Sequence, residues 1–211
     1  MNKTAPSYIL TFMLAVCIVF GTGISIVHYA TAPLLRKNLA LHRNRTLAKA
    51  FMLDVPGRTA ENYEQAVTDS LRHREITAGE RTWQVYLREG AGESSVGFQF
   101  TGMGFWDRIT GVVVLDPDLE EIRNLVILDQ KETPGLGGRI EEEAFRAQFR
   151  GLEIAWENPP DRHIVVGASK DPDATNRVDA ITGATQTSMA LMNMLNSELT
   201  AFRKVYEERI D

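Results

Sequence analysis

Residues 4–27 run for 24 positions without a charged side chain. At ~1.5 Å per residue a helix of that length covers roughly 36 Å, more than the ~30 Å of hydrocarbon in a bilayer. Backbone inside lipid must satisfy its own hydrogen bonds, so the stretch reads as a single transmembrane helix and residues 1–33 as an anchor. Tyr8 and Tyr29 stand near its ends, where amphipathic rings favour the interface, and His28 beside Tyr29 reads as interfacial. The competing reading is a cleaved signal peptide. The run is long for its apolar region, and the best cleavage motif, Ala30-Thr31-Ala32, is followed by Pro33.

Charge divides the chain at the same place. The total is 23 Lys and Arg against 28 Asp and Glu, a net of −5. Residues 1–49 hold six basic residues (Lys3, Arg36, Lys37, Arg43, Arg45, Lys49) and no acid, which leaves residues 50–211 with a net of −11. An acidic domain argues against a nucleic-acid partner, whose phosphates require a basic footprint. Five of the six basic residues come after the apolar run. The positive-inside rule alone would put the rest of the chain in the cytoplasm, but a long domain weakens that rule and charge leaves the orientation open. The one cysteine, Cys17, sits mid-run as a small apolar residue. An internal disulfide, a thiolate zinc site and a cysteine-ligated iron–sulfur cluster are therefore excluded within the chain, and redox chemistry would need an organic cofactor.

Beyond the anchor, Leu35, Leu39, Leu47 and Phe51 recur at helical spacing among basic residues. That pattern predicts an amphipathic stalk over 34–56, ended by Pro56-Gly57, and a second domain over 57–211. Residues 58–81 are polar and read as a short helix or irregular connection. Runs rich in β-branched and aromatic residues at 83–87, 96–100, 109–115, 122–128, 152–156 and 164–166 predict strands. Gly111-Val-Val-Val-Leu115 and Leu125-Val-Ile-Leu128 flank Asp116-Pro117-Asp118, an antiparallel hairpin signal. Residues 141–149 and, more strongly, 187–206 read as helical. The expected class is α+β, with a mainly antiparallel sheet and flanking helices.

Two motifs rise above this background. Asp179-Ala-Ile-Thr182-Gly183-Ala184-Thr185 runs into the helical pattern and puts Thr185 at a helix start. It can serve as a capping segment, or as an anion site where free amides and the helix dipole stabilise a phosphate. Glu132-Thr133-Pro134-Gly135-Leu136-Gly137-Gly138 can be a tight turn, or backbone kept slender so that a flat or phosphorylated ligand approaches closely. His73 and His163 have no ligand partners at useful spacing and read as surface or structural residues.

In this order, behind one anchor, the motifs make the chain resemble the FMN-binding subunits of two related respiratory complexes. These are the G subunit of Rnf ferredoxin:NAD oxidoreductases and the C subunit of sodium-pumping NADH:quinone oxidoreductases. The resemblance spans the whole layout and is densest over 102–149 and 178–188. The family's flavinylation signature is Asp, two variable residues, Ser or Thr, then Gly-Ala-Thr, and residues 179–185 meet it at every position. It implies that Thr185 carries FMN covalently as a phosphoester, installed by a separate flavin transferase that uses FAD. Asp179 would assist recognition or activation, and Thr187 is the rival acceptor. The Glu132 to Gly137 stretch would lie against the flavin, its glycines allowing close approach and Glu132 and Thr133 offering polar contacts. Phe105 and Trp106, in a family-like Gly102-Met-Gly104-Phe-Trp stretch, read either as a wall for the ring or as core. Phe105-Trp106, Gly137-Gly138 and Thr185-Gln-Thr187-Ser188 lean toward the sodium pump; the compact length leans toward Rnf.

The resemblance thus implies an electron-relay subunit of an ion-translocating oxidoreductase, with no active site of its own and with the other membrane subunits as partners. It also implies a place in the bacterial inner membrane with the domain on the periplasmic side, against the local charge bias. Readings of a different kind remain: a membrane-anchored binding or assembly module whose Gly-Ala-Thr is only a helix cap, or a flavoprotein of another extracytoplasmic electron-transfer chain.

Overall fold

A computed structural model of the chain describes residues 6–90, 94–167 and 174–210. Lys3 and the first two positions of the apolar run, Thr4 and Ala5, lie outside the described residues. The chain divides into two compact units, one ending at His42 and the other beginning at Arg43. Helix α1 (Pro6–Ala50) supplies the first unit and continues into the second, so the expected stalk straddles the two. The most apolar part of α1 has a mean hydropathy of 2.4 and no buried residue. It is long and apolar enough to cross a membrane, and it lacks the packed surround of a core helix.

In the second unit, α2 (Ala60–Ser70) leads into a six-stranded antiparallel sheet whose strands lie in chain order. These are β1 (Leu71–Ala78), β2 (Arg81–Arg88), β3 (Ser95–Met103), β4 (Arg108–Leu115), β5 (Glu121–Asp129) and β6 (Leu152–Glu153). The expected hairpin is β4–β5, with Val112 opposite Val126 and Val113 opposite Leu125. Its turn is built by Asp116, whose Oδ1 accepts from the amides of Glu120 (2.8 Å) and Glu121 (2.9 Å). A short parallel pair, β7 (Val165–Val166) and β8 (Arg177–Val178), precedes α4 (Thr185–Ile210).

Both faces of the sheet are covered. On one, Leu191, Leu195, Leu199 and Phe202 recur every three or four residues along α4 and pack with Phe98, Phe100, Ile109, Val113 and Leu125. Phe202 stacks on Phe98 with ring centroids 4.2 Å apart. On the other face the end of α1 lays Leu47, Ala50 and Phe51 against Leu71, Tyr86, Val112, Val114 and Val126. Asn124, fully buried in β5, finishes α1 by donating from Nδ2 to the carbonyls of Lys49 (3.1 Å) and Ala50 (2.9 Å).

Three local expectations are corrected. The segment 58–81 holds α2, capped by the Thr59 hydroxyl on the Asn62 amide, and then the whole of edge strand β1. Only Leu71 and Ile76 of β1 are buried, so an edge strand with charges outside gives little apolar signal. Residues 141–149 are not one helix: a 3₁₀ turn (Gly137–Glu141), the single-turn α3 (Glu143–Arg146) and another 3₁₀ turn (Ala147–Phe149) succeed one another. The runs at 152–156 and 164–166 shrink to two-residue strands: β6 stops at Glu153 because its partner β5 begins at Glu121, and β7 pairs with Arg177 and Val178 alone.

Candidate functional site

Two stretches 50 residues apart in sequence meet at one groove. Strand β5 ends in the Glu132 to Gly138 turn, where the Thr133 carbonyl accepts from the amides of Leu136 (3.1 Å) and Gly138 (3.0 Å). Gly135 takes the left-handed conformation this turn needs, with φ of 75°. Gly137 then packs against the start of α4 so closely that a Cβ there would stand 2.5 Å from Thr187 Oγ1 and 2.8 Å from Glu132 Oε2. Across the groove Leu136 faces Gly183, itself at φ 81°.

The third side is the β3–β4 loop. Phe105 and Trp106 are 54% and 66% exposed and sit edge to face with centroids 5.1 Å apart, so they are a wall of the groove rather than core. The Gly104 amide donates to the Asp107 carbonyl (2.8 Å), closing the loop. At the rim Lys131 pairs with Asp107 at 2.9 Å. The Lys131 ammonium and the Arg108 amide, which both donate to the Asp107 carboxylate, hold its pKa below the ordinary range. The groove has a volume of about 420 Å³, within the usual range of small-molecule sites.

Glu132 is the pivot. It is 4% exposed, yet both carboxylate oxygens are used: Oε1 accepts from the Trp106 amide (3.0 Å) and Oε2 from the Thr187 hydroxyl (2.7 Å). One side chain thereby ties the aromatic loop, the glycine turn and the first turn of α4 together. The Thr133 side chain is exposed at the groove.

At the start of α4 the two candidate threonines part. Thr187 is buried, with its hydroxyl committed to Glu132. Thr185 is exposed on the groove, and among the described residues its hydroxyl has no hydrogen-bond partner. Nor does any described residue accept from the backbone amides of Thr185, Gln186 or Thr187, the donors a helix start leaves free. Ser188 shapes the turn instead: its hydroxyl donates to the Ala184 carbonyl (3.1 Å) and accepts from the Ile181 amide (3.1 Å). The Thr and Ser cluster therefore does not cap the helix in the way its composition suggests.

The signature divides between two surfaces. Gly183, Ala184 and Thr185 line the groove, whereas Asp179 and Thr182 line a separate cleft with Arg139, Glu142 and Gln148. Asp179 is exposed and pairs with Arg177 at 2.8 Å, and its amide donates to Gln148 Oε1. Among the site residues expected from sequence, the structure brings together Glu132, Thr133, Leu136, Gly137, Gly183, Ala184 and Thr185; Gly135 tips the turn, and Asp179 and Thr182 stand apart. Gln186 also lines the groove and carried no signal of its own in the sequence. His163 is buried, with Nδ1 3.1 Å from the Ala155 carbonyl, and His73 is an exposed strand residue against Gln84.

An FMN-binding domain model matches residues 104–200, the region that builds the groove. The C subunit of the Na+-translocating NADH-quinone reductase of Pasteurella multocida is 36% identical over 113 residues, covering 52% of this chain and 43% of that protein. The C subunit of Vibrio campbellii is 32% identical over 143 residues, covering 62% and 55% respectively. The chain thus spans about half the length of the curated relatives it matches. The crystal structure of the C subunit from Parabacteroides distasonis superposes with a TM-score of 0.69 at 20% identity, covering 82% of this chain and 94% of that one. Shewanella oneidensis NqrC gives 0.63 at 17%, covering 78% and 96%.

Proposed function

The chain belongs to the FMN-binding-domain family that includes the C subunit of the Na+-translocating NADH-quinone reductase, and from that premise we propose that it is an electron-transfer subunit carrying FMN on Thr185. The observation that carries the attachment is the contrast between an exposed Thr185 hydroxyl on the groove and a Thr187 hydroxyl buried against Glu132. FMN would supply electron uptake and release, which this chain, with one cysteine and no metal-binding cluster among the described residues, does not itself provide.

The residues fit such a group. A phosphoester at Thr185 would be held by the three amides that start α4, and the positive end of the helix dipole would favour its charge. Gly137 and Gly183 keep the backbone slender where a planar ring would lie, and Phe105, Trp106 and Leu136 give it apolar faces. In attachment the Thr185 oxygen would bond to the flavin-side phosphorus of FAD, the pyrophosphate bond would break and AMP would leave. The family resemblance implies that a separate flavin transferase would perform that step.

We place the subunit in a membrane complex of the sodium-pump type, supported by the relatives' names and by the apolar helix α1. Its partners would be the other subunits of that complex, and its domain would face the outer side of the bacterial inner membrane, where the transferase works. Intact-protein mass after co-expression with a flavin transferase tests the attachment: the expected gain is one FMN less one water. An unmodified mass beside an active transferase would favour an anchored binding module. Protease added to cells with a permeabilised outer membrane tests the orientation, and an untouched domain would place it in the cytoplasm.

A further inference from the structure

The groove contains one titratable side chain among its lining residues, and that side chain is buried at its floor. Glu132 is surrounded by features that exist to admit it. Gly104 and Gly137 both lack a Cβ where one would collide with its carboxylate, at Oε1 and Oε2 respectively. Its two oxygens meet two donors, the Trp106 amide at 3.0 Å and the Thr187 hydroxyl at 2.7 Å. A structural strut alone does not need a charge. A neutral amide of the same shape costs less to bury, whereas an ionised carboxylate needs this paired set of donors. Asp107 and Lys131, each one residue from the Trp106–Glu132 contact in sequence, are exposed and pair with each other at 2.9 Å.

We propose that Glu132 is a positioning residue that also tunes the flavin. Its charge at the groove floor would lower the reduction potential of a flavin held in the groove, and the Thr187 hydroxyl partly offsets that charge. This rests on the reading that FMN occupies the groove. Electron uptake adds negative charge to a ring, and a fixed negative charge on a buried carboxylate beside it opposes that uptake. Donation from Thr187 spreads part of the carboxylate charge away from the groove, so the two residues act with opposite sign.

The test is a redox titration of the full-length, FMN-loaded protein and its variants, monitored by flavin absorbance. Glu132→Gln keeps the shape and removes the charge, so the midpoint is expected to rise. Thr187→Val keeps the charge and removes the donor, so the midpoint is expected to fall. A strut with no electrostatic role would leave both midpoints at the parental value or move both the same way, and either result overturns the proposal. If Glu132→Gln does not fold, the sign of the Thr187→Val shift still decides, with a rise or no change counting against it. Parental protein that takes up no FMN under an active transferase sinks the functional reading itself, a failure distinct from an unshifted midpoint.

Discussion

The groove at Thr185 and the cleft at Asp179 lie on neighbouring surfaces of one seven-residue signature, yet they differ in size and in the charge of their walls. The groove, about 420 Å³, has an apolar wall of Phe105, Trp106 and Leu136 and a single buried carboxylate. The cleft, about 150 Å³, sets Arg139, Glu142, Gln148 and Asp179, with ion pairs exposed to water, beside the apolar Phe145 and Ile181. A small depression with charged walls gains little from a ligand, while a larger one with an aromatic wall gains from burying a flat molecule. The contrast teaches that a sequence signature need not be one site. Its last three residues line the groove, and its first residue faces outward on the cleft.

The contrast can be broken or sharpened by substitution. The largest effect is expected from Thr185→Val, which removes the oxygen that would carry the flavin. Fluorescence of the band on a denaturing gel should disappear, and a band as bright as the parent's would overturn the attachment. Gly137→Ala comes next, because its Cβ must displace Thr187 or Glu132. Overpacking of this kind costs about 1–3 kcal/mol, readable as a lower urea midpoint. Thr187→Val leaves Glu132 Oε2 without its donor and should cost about 1–3 kcal/mol by the same measurement, while the gel band stays fluorescent.

Asp179→Asn lies on the other side of the comparison. Its side chain is 74% exposed, so stability should move by less than about 0.5 kcal/mol. If the cleft is what the transferase reads, the time course of flavin incorporation slows all the same, and an unchanged time course assigns the cleft no part in recognition. The smallest effect belongs to the rim pair. Asp107 has a lowered pKa and Lys131 a raised one, each chiefly through the hydrogen bond between them. A depressed carboxylate contributes stability that is lost as pH falls through its folded pKa; a raised ammonium contributes stability that is lost as pH rises through its own. Lys131→Gln should therefore lower the melting temperature slightly near neutral pH, and the difference should vanish at both extremes.

How far the sequence discloses the molecule depends on how local each feature is. The β4–β5 hairpin was legible because Val112, Val113, Leu125 and Val126 are contiguous apolar runs around a turn-forming Asp-Pro. Helix α4 was legible because Leu191, Leu195 and Leu199 keep one face. Strand β1 was not, since six of its eight side chains stay outside the core and Arg72, Arg74 and Glu75 are charged. The site divides in the same way. Both motifs were visible as short strings, and Gly137 and Gly183 could be read as slender backbone. The bond from Thr187 to Glu132 joins residues 55 apart and has no signature in either string. Whether Phe105 and Trp106 face inward or outward depends on how the β3–β4 loop is closed, by Asp107 and by the Trp106 amide on Glu132.

The way α1 ends bears on how the domain can be cut free. Leu47, Ala50 and Phe51 form part of the core under the sheet, and Asn124 is fully buried where its Nδ2 donates to the last carbonyls of that helix. A recombinant fragment starting after Pro56 would expose Val112, Val114 and Val126 and take both acceptors from Asn124 Nδ2, at a cost of several kcal/mol. A fragment starting at Arg43 keeps all of these contacts and omits the apolar stretch, which makes it the natural soluble form for crystallography and redox titration.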